Sequence, residues 1–239
     1  MAHIPRVYIP GHVGPGPLLL EGDQARRLTS VMRLREGERF LVFGGDGREW
    51  EATVAGSGRL GLHATVGAVL RQEPALPLAV EAWVSLVRPN RFDWAVEKCV
   101  EAGADVLRPL LTEHAVRGEG SSAGRQERWT RIAIEAAEQC GRLHLAVVEA
   151  PATFDDLLSR AHQALLIADR GGRPWPEAAP LLPPEGRLAM AVGPEGGFSE
   201  EELRRAKARG AIAVSLGPNI LRTETAAVVA LGLIRSLGR

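Results

Sequence analysis

From about residue 79 the sequence alternates short apolar runs with stretches of helical periodicity, and this alternation constrains the fold more than any other feature. Residues 81–87, 105–111, 147–149, 164–168, 187–192 and 211–216 read as strands, being brief apolar runs bounded by turn residues. Helices fit between them. Asn90 is placed to cap one whose apolar face carries Phe92, Ala95, Val96, Cys99 and Val100, with Gly103 as its stop. A second runs over 126–139 and stops at Gly141, and a third lies near 154–161. Ser199 and Glu202 have the spacing of a capping box and open a fourth, which stops at Gly210. The last helix spans 223–237. Strand and helix in alternation imply the α/β class, a mostly parallel sheet with helices on its faces.

The first 70 residues follow a different rule. Four β-like runs, at 6–9, 39–43, 49–54 and 63–70, are separated by Gly14-Pro15-Gly16-Pro17, Gly44-Gly45-Asp46-Gly47 and Gly56-Ser57-Gly58. One short helix fits at 23–32. A small β-barrel or sandwich accounts for this pattern. The division is then a β domain at 1–70, a linker at 71–78 containing two prolines, and an α/β domain at 79–239.

Composition removes several classes. With 239 residues, 45% apolar and 24% charged, the chain can bury a substantial core. Its apolar runs fall far short of the ~20 residues a membrane helix needs, and residues 1–6 lack the apolar stretch of a signal peptide. Two cysteines, Cys99 and Cys140, form no disulfide framework and fit a reducing cytoplasm. The 29 basic and 29 acidic side chains balance, so nucleic acid is not bound by overall charge alone. All but two of the basic residues are arginine, and Arg26, Arg27, Arg33, Arg35 and Arg39 cluster against only Glu36 and Glu38. A local phosphate-binding patch there is compatible with a neutral chain.

Two literal motif matches fail on context. Gly56-Ser57-Gly58-Arg59-Leu60-Gly61 spells a dinucleotide fingerprint, but a strand-like run follows it where a helix is needed, so it reads as a hairpin turn. Gly120-Ser121-Ser122-Ala123-Gly124 spells a nucleophile elbow, but it sits in a polar stretch and not at the end of a buried strand. Cys140 and His144 have ligand-like spacing with nothing to complete a site. A buried thiol beside a loop histidine is the expectation, and no metal is expected.

Chemistry concentrates in two segments, Gly193-Pro194-Glu195-Gly196-Gly197-Phe198-Ser199 and Leu216-Gly217-Pro218-Asn219-Ile220-Leu221-Arg222-Thr223-Glu224-Thr225-Ala226. Each follows a buried strand at its C-terminal end and leads into a helix, where parallel sheets bind ligands. Glycine lets the backbone approach a flat ligand and leaves N–H and C=O groups free to read it. Loops without lysine that offer mainly backbone suit an adenosine better than a triphosphate. Thr223 is placed to cap the last helix. Arg222, after the apolar pair Ile220-Leu221, is placed to hold an anion or polarise a carbonyl.

These two loops closely resemble those of the RsmE family, SPOUT-class methyltransferases of small-subunit ribosomal RNA acting on N3 of a uridine. Other elements resemble it in order: Arg6-Val7-Tyr8, Val31-Met32-Arg33 followed by Gly37, Glu97-Lys98-Cys99-Val100-Glu101-Ala102-Gly103, and Ile132-Ala133 through Glu138-Gln139-Cys140-Gly141-Arg142. Arg27 departs from the family, in which histidine is common at this position. The resemblance implies an N-terminal PUA-like barrel, a SPOUT-type parallel sheet with a C-terminal trefoil knot, and a cytoplasmic homodimer whose partner subunit borders the site. It also implies S-adenosylmethionine as cofactor, held by Ile167 and Ala168, by Gly193, Pro194, Glu195 and Gly197, by Leu216, Gly217, Asn219, Ile220 and Leu221, and by Thr225 and Ala226.

For the reaction, Arg222 is expected to stabilise the base as it loses its proton. Glu224 and Glu195 are the candidate proton acceptors, with Glu195 as readily a partner for loop backbone donors. Arg6, Arg33 and Arg35 are expected to meet RNA phosphates, on naked small-subunit RNA or the assembled subunit. The roles of Glu138, Gln139 and Arg142 stay open. Two alternatives remain beside this reading: a catalytically silent ribosome-assembly factor that binds RNA, and a SPOUT methyltransferase acting on transfer RNA.

Overall fold

The alternating apolar residues of the N-terminal segment line one side of a single sheet. A computed structural model of the protein describes residues 4–115 and 123–238. Met1-Ala2-His3 and residues 118–122 of the Gly/Ser stretch, with most of the elbow-like spelling, lie outside them. The chain forms two compact units. One comprises the residues up to Ala75 together with Glu138–Leu145; the other comprises Leu76–Ala137 and the residues from Ala146. The contiguous division read from the sequence does not include the 138–145 contribution to the first unit.

In the first unit, β1 (Arg6–Tyr8), β2 (Gly16–Leu20), β3 (Arg39–Phe43), β4 (Arg48–Gly58) and β5 (Gly61–Gln72) form one sheet in the order β1-β3-β4-β5-β2. It is one sheet and not the two facing sheets of a sandwich. The 56–61 segment is the expected hairpin, with Gly58 opposite Gly61. The turn signal at residues 14–17 overlaps the start of β2, at Gly16 and Pro17. β2 is an edge strand, where a proline without an N–H is tolerated. β5 continues through Gln72 and the next strand opens at Leu78, so residues 71, 72 and 78 belong to strands and not to the linker. The expected helix is real but irregular: α1 (Gly22–Arg26) runs into a π-helical turn at Arg27–Val31. Leu20, Leu28, Phe40, Val42, Ala52 and Leu62 are central in the core.

The second unit contains β6 (Leu78–Ser85), α2 (Pro89–Glu101), β7 (Val106–Leu111), α3 (Ala123–Cys140, its last turn counted with the first unit), β8 (Val147–Val148) and β9 (Ala152–Thr153). There follow α4 (Phe154–Ser159), β10 (Ala164–Pro174), α5 (Trp175–Ala178), β11 (Gly186–Val192), α6 (Glu200–Ala208), β12 (Ile212–Ser215) and α7 (Thr223–Arg235). Every strand pairing is parallel, in the order β12-β10-β11-β6-β7-β8, with β9 also on β7. Trp83, Ile167, Ala189 and Ala191 pack on one face with Phe154 and Leu157 of α4 and Ala206 of α6. On α2 the five residues expected to face inward are the buried ones. The helix nevertheless starts at Pro89 with Arg88 as its N-cap, two residues before Asn90, because proline is preorganised for the first helical position. The Ser199–Glu202 capping box forms as expected.

Strand order explains where a ligand can sit. β11 inserts between β6 and β10, and β12 lies outside β10. The chain then returns from that edge, since α7 packs against α2, β6 and β11. The connections leaving β10, β11 and β12 therefore crowd at the C-terminal ends of three neighbouring strands.

Candidate methyl-donor site

Three loops enclose a cavity of about 370 Å³ at those strand ends, within the size range of small-molecule sites. The first is an excursion in β10. Pairing with β12 breaks after Ala168 and resumes at Arg173, so residues 169–172 loop out with no pairing of their own. Gly172 permits this, because a Cβ there would collide with the Val214 backbone. Asp169 accepts a hydrogen bond from Gly171 N at 2.9 Å and lines the cavity with Arg170.

The second loop follows β11. Gly197 N donates to Pro194 O at 2.8 Å, which closes a turn, and Gly197 has φ 71°. A Cβ on Gly193 would stand 3.1 Å from Phe198 N. The third loop follows β12, with Gly217 at φ 131°. Thr223 joins the second loop to α7: its buried hydroxyl donates to Gly193 O at 3.0 Å. This corrects the reading of Thr223 as the helix cap, which is Arg222, without a side-chain bond.

The structure brings together most of the expected cofactor residues. Ala168, Gly193, Pro194, Glu195 and Gly197 line the cavity, as do Leu216, Gly217, Asn219, Ile220, Leu221 and Ala226. Ile167 does not. It is 1% exposed and belongs to the core under the sheet. Thr225 is also absent from the lining, one position off the face that carries Ala226. Sequence reasoning missed Asp169 and Arg170, because a strand that stops and resumes reads as a strand that ends. Glu195 is not bound to loop backbone donors; it forms an ion pair with Arg91 of α2. The imidazole Nδ1 of His114 lies 3.2 Å from Gly197 O.

The lining suits a cationic nucleoside. Its ionisable side chains are Asp169, Glu195 and Arg170, with no lysine, and Glu195 is paired with Arg91. A polyphosphate is disfavoured there, whereas S-adenosylmethionine, with a sulfonium, an ammonium and a carboxylate, carries +1. Val192, Leu216, Ile220, Leu221 and Ala226 offer apolar surface for an adenine, and the glycine backbone offers donors and acceptors.

Neither expected catalytic residue lines the cavity. Arg222 is exposed at the start of α7. Glu224, in the first turn, is 7% exposed, and its Oε2 has no hydrogen-bond partner.

Of the expected RNA contacts, Arg33 and Arg35 are exposed. Arg6 is not available: its Nε donates to Glu49 at 2.6 Å, its Nη1 to Glu138 O at 2.9 Å, and it lies over the Phe43 ring. The buried Glu138, whose role the sequence left open, accepts Tyr8 N at 2.9 Å and Arg27 Nη1 at 2.5 Å. It is an internal tie of the first unit. Arg142 donates to His144 O at 2.8 Å. Cys140 is exposed, which overturns its reading as a buried thiol, and His144 instead approaches Glu73 O at 3.0 Å. Among the described residues no group of His, Cys, Asp and Glu has the makings of a metal site, and no helix is long and apolar enough to cross a membrane.

Fold and site together describe an RNA methyltransferase. The RNA methyltransferase domain family matches residues 74–235, and the RNA methyltransferase PUA domain matches 20–67. The ribosomal RNA small subunit methyltransferase E of Synechocystis is 35% identical over 97% of this chain and 77% of that protein. The Bacillus subtilis protein of the same name is 28% identical over 90% and 88%. A Legionella pneumophila methyltransferase solved with S-adenosylmethionine bound superimposes with a TM-score of 0.90, at 29% identity, over 99% of this chain and 98% of that one. The Neisseria gonorrhoeae methyltransferase E bound to S-adenosylmethionine gives 0.84, also at 29%, over 98% of each. The chain belongs to the ribosomal RNA small subunit methyltransferase E family.

Proposed function

We propose that the chain methylates N3 of a uridine in small-subunit ribosomal RNA, with S-adenosylmethionine as the methyl donor. The observation that carries this reading is the cavity itself: in a chain of this family, three glycine-bearing strand ends enclose a pocket of mixed polar and apolar lining that contains no lysine. The bound donor supplies a sulfonium methyl whose leaving group is a neutral thioether, so the methyl itself needs no activation.

The protein's task is to prepare the nucleophile. Uridine N3 holds a proton and attacks poorly while neutral, so the site must align N3 and favour loss of that proton. Arg222, exposed beside the third loop, is assigned the cation that stabilises charge developing on the base carbonyls. Glu224 is assigned the proton acceptor, because its Oε2 is unpartnered while Glu195 is held by Arg91. Arg33 and Arg35, exposed and without ion pairs among the described residues, are assigned phosphate contacts.

A homodimer belongs to the same reading. Ile220 lines the cavity yet is 74% exposed, and a partner subunit seated there would cover an apolar residue at the mouth of the site. The return of the chain from β12 to α7 supports the trefoil knot, and two cysteines that form no disulfide support a cytoplasmic location.

Incubation with donor and small-subunit RNA, followed by mass spectrometry of the digested RNA, tests the reading. It predicts 3-methyluridine, with turnover reduced far more than donor affinity by Arg222→Ala. A methyl group on a ribose, on another base or only on transfer RNA would overturn it.

A further inference from the structure

The turn that follows β7 reaches the second loop of the methyl-donor cavity and is fastened to it and to α6. Glu113 N donates to Glu202 Oε1 at 3.0 Å, and the other oxygen of that buried carboxylate accepts Ser199 N at 2.9 Å in the capping box. Ala115 N donates to Thr112 O at 3.1 Å and closes the turn. At its tip, His114 Nδ1 lies 3.2 Å from Gly197 O. The side chain also packs on Gly196, where a Cβ would stand 3.3 Å from His114 Cβ and 3.5 Å from Nδ1.

The contact with Gly197 gives the two ring nitrogens different tasks. A carbonyl oxygen only accepts, so Nδ1 carries the proton there, and in the neutral ring Nε2 is left as an acceptor. Nε2 has no partner among the described residues, and the side chain is exposed. Gly196 and Gly197 line the methyl-donor cavity, but His114 does not. The unpaired nitrogen therefore stands outside the cavity, beside the loop that an incoming nucleotide must approach to meet the methyl group.

Substrate chemistry narrows what this acceptor can take. A uridine within an RNA chain has two hydrogen-bond donors, N3–H and the ribose 2′-hydroxyl. N3–H is given up in the reaction. A contact that holds the nucleotide throughout methyl transfer must use a group the reaction leaves intact, and that group is the hydroxyl. We infer that His114 Nε2 accepts a hydrogen bond from the 2′-hydroxyl of the uridine being methylated, while Nδ1–H holds the second loop in its donor-binding form. His114 is then a binding and positioning residue, through which the site tells RNA from DNA at the nucleotide it modifies. The inference rests on the functional reading above and deepens it, because it assigns the contact that reads the ribose.

The test crosses two variants of the full-length protein with two substrates: a small-subunit RNA fragment, and the same fragment carrying 2′-deoxyribose at the target uridine alone. For the wild type, loss of the hydroxyl should lower kcat/KM between about twofold and tenfold, the worth of one net hydrogen bond. His114→Asn keeps an amide N–H in the place of Nδ1 and nothing in the place of Nε2. It should bind S-adenosylmethionine as the wild type does in calorimetry, and should give one kcat/KM for both RNAs. His114→Gln carries its amide to the place of Nε2 instead. It should bind the methyl donor more weakly and still favour the ribose substrate. Each variant decides the point alone if the other fails to fold. A hydroxyl effect of the same size in all three proteins would overturn the inference, with wild-type turnover intact to uphold the wider reading. Weakened methyl-donor binding by the asparagine variant would place Nε2 against the methyl donor and would also overturn it. If the wild type methylated neither RNA, the wider reading would fail and this one with it.

Discussion

Replacing Thr223 with valine removes one hydroxyl and nothing else of comparable size. The hydroxyl is buried and donates to Gly193 O at 3.0 Å, so it ties the first turn of α7 to the second loop of the site. Valine leaves that carbonyl without its partner, and an orphaned buried polar group costs about 1–3 kcal/mol. In the free variant the loop can relieve much of this by turning the carbonyl toward water. Binding the donor requires the loop back in place, so the cost reappears as lost affinity. At about 1.4 kcal/mol per tenfold, the dissociation constant for S-adenosylmethionine should rise between about fivefold and a hundredfold. Thr223→Ser keeps the hydroxyl and should bind close to wild type. Calorimetric titration of the three proteins reads this directly. Equal affinity in the valine variant, or equal losses in valine and serine variants, would refute the argument that this bond sets the loop.

Other consequences follow from particular contacts. Arg6→Gln should lower the urea midpoint of the first unit while leaving the salt slope of RNA binding unchanged, since the guanidinium serves Glu49 and the Glu138 carbonyl; a reduced slope would restore Arg6 as an RNA contact. Cys99 is fully enclosed, and burial pushes its thiol up to about 12, whereas Cys140 is exposed. A thiol reagent at pH 8 should therefore titrate one thiol in the native protein and two after denaturation. Burial lowers the pKa of His162 below its usual 6.5. The unfolded chain then takes up the proton first on acidification, so this residue's contribution is present above 6.5 and declines as pH falls through that value. Denaturant titrations between pH 5 and 8 should show that slope reduced in His162→Gln; an unaltered slope would assign it elsewhere.

Local signals carried much of the fold. The inward face of α2 follows from spacing alone, and the capping box of α6 needs only Ser199 and Glu202 three residues apart. The strand-end loops were legible because glycine and proline punctuate two buried runs. What the sequence hid depends on distant partners. Arg6 looks like any exposed arginine until Glu138, 132 residues away, is brought to it. Thr223 reads as a cap because its acceptor lies 30 residues upstream. Asp169 and Arg170 were hidden by a strand that leaves its sheet and returns. The edge strand β2 carries turn chemistry because an edge tolerates it. The family resemblance supplied donor, substrate and knot, which periodicity does not encode.

A crystal structure of the full chain with S-adenosylmethionine tests the central claim most directly. The donor is expected among the three strand-end loops, its adenine against the apolar lining and backbone of the second and third, its charged end toward Asp169 and Glu195. Density for the donor at any other place on the protein, with this cavity left empty, would contradict the account.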